Sequence, residues 1–174
     1  SWAHETAKVR SEVLKRWHQL ILEHADALAD LITEEMGKPR SEAMGEVQYG
    51  ASFVDWFAAE ARRTYGDVIP PHLPDKRIMA IKQPVGVVFA ITPWNFPLAM
   101  ITRKVSPALA AGCTVVVKPS EDTPLTALYL CALAREAGMP DGVLNCVTGL
   151  DAAGIGSAVI ADSRVRKVTF TGST

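Results

Sequence analysis

The strongest constraint on this chain is a change of rhythm near residue 85. From there on, short β-branched and aliphatic runs alternate with stretches of helical period, with few residues between them. Residues 85–91, 114–117, 143–147 and 168–170 read as strands. Residues 98–111, 124–137 and 152–161 read as the helices between them, the second opened by Pro124 and closed by Gly138. Parallel strands need crossover helices, and strands this continuously apolar are buried on both faces. The pattern therefore predicts an α/β fold, a parallel Rossmann-like sheet covered on both sides. Ligands of such sheets collect at the carboxyl ends of the strands.

Before residue 85 the period is helical. Val9, Val13, Trp17, Leu20 and Ile21 share one helix face. Asp26 opens a second helix carrying Leu28, Leu31 and Ile32, which Gly37-Lys38-Pro39 stops. Val47, Ala51, Val54, Ala58 and Ala61 form a third stripe, with Trp56 and Phe57 on or beside it. All of these are expected to pack against a neighbouring layer. Pro70, Pro71 and Pro74 then make an irregular connection, and residues 77–83 read as an extended edge strand.

Composition narrows the class of protein. The chain has 174 residues, slightly more than one ordinary domain of ~150. Lys and Arg number 18 against 19 Asp and Glu, for a net charge of −1, so no electrostatic case exists for nucleic acid or an acidic membrane surface. With 48% hydrophobic and 21% charged residues the chain can build a core. Its longest apolar run, residues 85–91, falls far short of the ~20 needed to span a bilayer. Cys113, Cys131 and Cys146 are odd in number and lack C-x-x-C pairing, which indicates neither a disulfide framework nor a metal site. A soluble, intracellular globular protein is expected.

The residues just past each strand are polar, small or aromatic, unlike the strand bodies. Familiar phosphate loops are absent: Gly154 and Gly156 lie within a helical stretch and Val159 breaks G-x-G-x-x-G, and no P-loop occurs. After the second strand, Lys118 can donate and Glu121 accept, so together they suit the hydroxyls of an adenosine ribose. A carboxylate there would also repel a 2′-phosphate, which favours NAD over NADP. By themselves the two are equally well read as exposed loop charges. Gly172 and Ser173 stand where a helix should begin and suit a pyrophosphate, or an ordinary capped turn. Pro93-Trp94-Asn95-Phe96-Pro97 is a rigid segment. Its Asn95 amide is either an oxyanion donor, of a kind typically worth ~3 kcal/mol in the transition state, or a cap for the helix that follows.

Three segments, 93–97, 118–124 and 170–174, resemble signature segments of the aldehyde dehydrogenase superfamily in order and approximate spacing. The stretch 91–124, with Ala99-Met100-Ile101-Thr102-Arg103-Lys104 and Ala110-Ala111-Gly112-Cys113-Thr114, looks like the members that act on succinate semialdehyde. The resemblance covers essentially the whole chain. It implies that Asn95 stabilises the oxyanion, with Trp94 beside it on the cofactor cleft. It implies that Lys118 and Glu121 hold the adenosine ribose of NAD, or of NADP, with Ser120 in the same cofactor-binding loop, and that Gly172 and Ser173 underlie the pyrophosphate. Arg103 matches the arginine that pairs with the distal carboxylate of the substrate, as a planar guanidinium can. Glutarate semialdehyde or another ω-oxo acid is the neighbouring expectation, and a non-catalytic nucleotide-binding or oligomerisation module is the expectation of another class.

The resemblance divides the chain into N-terminal helices of the cofactor domain (1–64), the start of an oligomerisation hairpin (65–84) and the cofactor-binding core (85–174). It implies a homo-oligomer, dimer or tetramer, when complete. It also places the nucleophilic Cys and general-base Glu beyond Thr174, so the chain is expected to be a piece of the enzyme without its catalytic domain and inactive alone. None of Cys113, Cys131 and Cys146 qualifies as the nucleophile, since all three are expected to be buried. The expected compartment is the cytoplasm, or the mitochondrial matrix if a transit segment preceded Ser1.

Overall fold

The computed structural model describes residues 1–172. Three helices come first: α1 (Ala7–Glu23), α2 (Ala25–Met36) and α3 (Arg40–Glu60). The Thr6 hydroxyl caps α1 by accepting from the Val9 N–H. His24, rather than Asp26, stands at the N-cap of α2, and Gly37 ends that helix at φ 74°, a left-handed turn that glycine adopts without strain. The predicted stripes are buried at Trp17, Leu20, Ile21, Leu28, Ile32, Val47, Ala51, Val54, Ala58 and Ala61, and Leu14, outside the predicted stripe, is buried with them. Val9 and Trp56 are instead exposed. Both fall off the axis of their stripes, which Leu14 and Val54 define.

A two-stranded antiparallel hairpin follows, β1 (Asp67–Ile69) against β2 (Ile78–Ala80), nearly all of it exposed. The sheet comes next. Its strands β3 (Val87–Ile91), β4 (Thr114–Lys118), β5 (Leu144–Cys146) and β6 (Val165–Phe170) are parallel, in spatial order β5-β4-β3-β6. Helices α4 (Ala99–Ala110), α5 (Pro124–Glu136) and α6 (Ala152–Ala161) make the crossovers. β6 begins three residues before the predicted start because Arg166 and Lys167 interrupt the apolar run. An edge strand can expose such charges.

The expectation of cover on both faces holds fully for one of them. Val88, Ala90, Val115 and Val117 face the main core, which α1 to α5 share. The buried indoles of Trp2 and Trp17 donate to the carbonyls of Leu109 and Leu130 and tie the helical layer to α4 and α5. The other face is covered only at its centre, where Phe89 is fully buried; α6 buries none of its own residues, and Val168 and Phe170 of β6 stay exposed. Among the described residues no helix is long and apolar enough to cross a membrane.

Candidate cofactor and active-site cleft

The carboxyl ends of β3, β4 and β6 open onto one cleft of about 910 Å³. Its walls carry Thr92, Trp94, Asn95 and Phe96 after β3, Lys118, Ser120 and Glu121 at and after β4, and Phe170, Thr171 and Gly172 at β6, with Ala152 and Ala153 from α6. Five predicted cofactor or oxyanion residues, Trp94, Asn95, Lys118, Ser120 and Glu121, are thereby brought together with Gly172. The tip of β5 does not line the cleft, and Ser173 lies outside the described residues.

Lys118 is the last residue of β4 rather than the first of the loop, and only 3% of it is exposed. Its ammonium donates to the Pro119 carbonyl at 2.9 Å and to Glu121 Oε2 at 3.0 Å. The reading as an exposed loop charge therefore fails for Lys118. Glu121 is half-exposed; its own backbone N–H, and then the Lys118 ammonium, hold its carboxyl below the usual carboxylate range. Ser120 Oγ accepts from the Asp122 N–H, which folds the loop into a short turn.

Asn95 does not cap α4. The N-cap position is Leu98, without a side-chain cap, and a carboxylate from another helix takes that part. Glu46 Oε1, from α3, accepts from the backbone N–H groups of Leu98 at 2.9 Å and Ala99 at 3.2 Å. The Asn95 side-chain amide makes no hydrogen bond among the described residues and lines the cleft, beside a Trp94 that is 50% exposed. At the tip of β6, a β-carbon on Gly172 would meet the Phe170 ring at 2.6 Å, so glycine leaves this wall open.

Arg103 stands apart. It lies on the exposed side of α4, its guanidinium 5.5 Å from the centroid of the Phe53 ring, and lines a neighbouring cavity of about 400 Å³ with Lys104, Lys167 and Thr169. Lys104 joins the two cavities by donating to Thr171 Oγ1. Burial, and then the Arg103 charge, lower its pKa. Of the cysteines, Cys113 is buried, while Cys131 and Cys146 are half-buried rather than buried as expected. Hydrogen bonding to Cys146, reinforced by burial, raises the Cys131 thiol far above its usual range, and the same contact lowers Cys146. No cysteine lines the cleft.

Four residues around this site have no site role in the sequence reading. Lys38, Glu46 and Glu35 support the loops, and Lys104 reaches Thr171. Glu46 alone left a signal, a charge between Ala43 and Val47 on an otherwise apolar stripe. The donor set fits a dinucleotide: a buried ammonium next to a carboxylate suits ribose hydroxyls, and the side-chain donor and the open glycine tip lie on the same cleft.

Comparison with known proteins agrees with this arrangement. The model of the "Aldehyde dehydrogenase family" matches residues 1–174. A mitochondrial succinate-semialdehyde dehydrogenase of Arabidopsis thaliana is 63% identical over 100% of this chain and 33% of its own length. A glutarate-semialdehyde dehydrogenase of Pseudomonas putida is 59% identical over 100% of this chain and 36% of its own. The crystal structure of an E. coli NADP-dependent enzyme superposes with a TM-score of 0.94 at 56% identity, over 96% of this chain and 34% of that one. The chain thus spans about a third of the length of the relatives it matches. From Ser1 to Thr174, the chain belongs to the aldehyde dehydrogenase family.

Proposed function

We propose that this chain forms the cofactor-binding and oxyanion-stabilising part of an NAD(P)-dependent enzyme that oxidises succinate semialdehyde to succinate. The observation that supports it most is the Asn95 amide, unpaired among the described residues, on the same cleft as the Lys118–Glu121 pair. A bound nicotinamide supplies the hydride acceptor. The residues of this chain do the rest of what is assigned to it. Lys118 donates to, and Glu121 accepts from, the adenosine ribose, with Ser120 shaping their loop. Gly172 and Ser173 underlie the pyrophosphate, and Trp94 walls the cleft. Asn95 donates to the carbonyl oxygen as negative charge develops there, a contribution of about 3 kcal/mol. The nucleophilic Cys and basic Glu are assigned to parts of the complete protein beyond these residues.

Arg103, which lines the neighbouring cavity, is assigned to the distal carboxylate of the substrate on the family resemblance. Glutarate semialdehyde is the second reading, favoured by the Pseudomonas putida relative. One methylene changes pocket affinity by only ~1–3 kcal/mol. Glu121 favours NAD because its carboxylate repels a 2′-phosphate, whereas the E. coli NADP-dependent neighbour supports NADP. The exposed β1–β2 hairpin supports assembly into a homo-oligomer. The compartment assigned is the cytoplasm or, as for the Arabidopsis relative, the mitochondrion.

Steady-state kinetics of the complete enzyme test this reading, with succinate semialdehyde, glutarate semialdehyde and an uncharged aldehyde against NAD and NADP. The expected result is the highest kcat/KM for succinate semialdehyde with NAD, and an Arg103→Leu variant whose KM rises more for the acid aldehydes than for the uncharged one. Equal effects on all three aldehydes would remove Arg103 from the substrate site. NAD binding without aldehyde-dependent reduction would leave a nucleotide-binding module.

A further inference from the structure

The loop that carries Asn95 is held from both ends by one buried ion pair. Lys38 follows the left-handed end of α2, and Glu46 lies one helix on, in α3. Their side chains are 9% and 1% exposed and form a salt bridge. Each then reaches the loop between β3 and α4. The Lys38 ammonium donates to the backbone carbonyl of Asn95 at 2.8 Å and sits 3.9 Å from the centroid of the Phe96 ring. Glu46 Oε1 takes the N–H groups of Leu98 and Ala99, where the loop enters α4. The pair therefore grips residue 95 itself and the residues three and four places after it.

A buried ion pair is not an economical source of stability. Desolvating two charges offsets most of their attraction, and apolar replacements of similar size often serve as well. This pair does something an apolar pair cannot. It satisfies two orphan N–H groups at a helix start and one loop carbonyl, and so fixes the loop backbone relative to the helical layer. Because Glu46 takes over the cap of α4, the Asn95 side chain is left free for the cleft.

We infer that Lys38 and Glu46 are positioning residues, which hold the Asn95 amide where it meets the reacting carbonyl oxygen. The inference rests on the oxyanion role proposed for Asn95. A donor displaced by about 1 Å loses on the order of a hundredfold in rate.

The test is a double-mutant cycle in the complete enzyme. Glu46→Gln keeps the shape and one acceptor oxygen; Lys38→Met removes the charge at similar length. Each is made alone and on an Asn95→Ala background, with kcat, cofactor Kd and Tm measured. In the wild-type background each variant is expected to lower kcat by about tenfold to a hundredfold, with cofactor Kd changed less than twofold. On the Asn95→Ala background the same substitutions are expected to lower kcat no further. Equal losses in both backgrounds, or an unchanged kcat in a variant of normal Tm, would overturn the positioning role while leaving the oxyanion reading intact. If Asn95→Ala itself leaves kcat unchanged, the oxyanion reading fails and the inference falls with it. Should Lys38→Met not fold, the Glu46→Gln arm decides alone.

Discussion

Lys118 Nζ and Glu121 Oε2 stand 3.0 Å apart. In the function proposed above, the ribose would accept from the ammonium and donate to the carboxylate of a pair that already stands together, which would preorganise the site. In that proposal the carboxylate is also the group that would oppose a 2′-phosphate. Glu121→Gln keeps an acceptor oxygen but removes the charge, so kcat/KM with NADP is expected to rise by about tenfold relative to NAD, as loss of about 1.4 kcal/mol of repulsion would give. Steady-state kinetics with both cofactors read this directly; an unchanged ratio would place cofactor choice elsewhere. Residues of this kind were legible in the sequence because they sit at strand tips, where a polar residue interrupts an apolar run. Lys38 and Glu35 were not legible. Their partners lie 57 residues away at Asn95 and 91 away at Thr126, and no local pattern marks such a distance.

Helices α4 and α5 begin in the same manner. Neither carries a side-chain cap of its own. Each takes a carboxylate from the helical layer instead, Glu46 of α3 for α4, and Glu35 of α2 for α5 through the N–H groups of Leu125 and Thr126. The strand-to-helix turns that precede them carry Asn95 and the Lys118–Glu121 pair. The layer read from periodicity as plain packing thus also anchors both strand-to-helix turns that line the cleft. Its own fit is close. At Gly50, α3 crosses α4 so tightly that a β-carbon would stand 3.2 Å from the Ala99 Cα and overlap Leu98 Cδ2. Gly50→Ala is expected to destabilise by about 1–3 kcal/mol through overpacking, read as a lowered Tm of the complete enzyme. An unchanged Tm would show that α4 can slide at this crossing. The periodicity of α1 to α3 located the stripes, and Trp56 and Val9 missed burial only through their angle around the helix.

At the scale of the molecule, two apolar surfaces stay open. One is the sheet face under α6, where Val168 and Phe170 are exposed, although the alternating pattern predicts cover on both sides. The pattern counts helices and cannot tell how far each reaches. The other is the hairpin, where Val68 of β1 is 83% exposed and its register partner Met79 of β2 is 73% exposed. Two strands alone in water are marginal, and large apolar side chains on both strands of such a hairpin need a partner surface. The homo-oligomer proposed for the complete enzyme supplies that surface. Substituting Val68→Lys together with Met79→Glu places opposite charges on a directly paired position, which preserves the hairpin while making its face costly to bury. The expected outcome is a smaller assembly by light scattering and a lower Tm, because association no longer stabilises the folded subunit. Since α1 to α5 keep their common core without the hairpin, the far-ultraviolet circular dichroism of the variant should match that of the parent. An unchanged mass would exclude this hairpin from the interface.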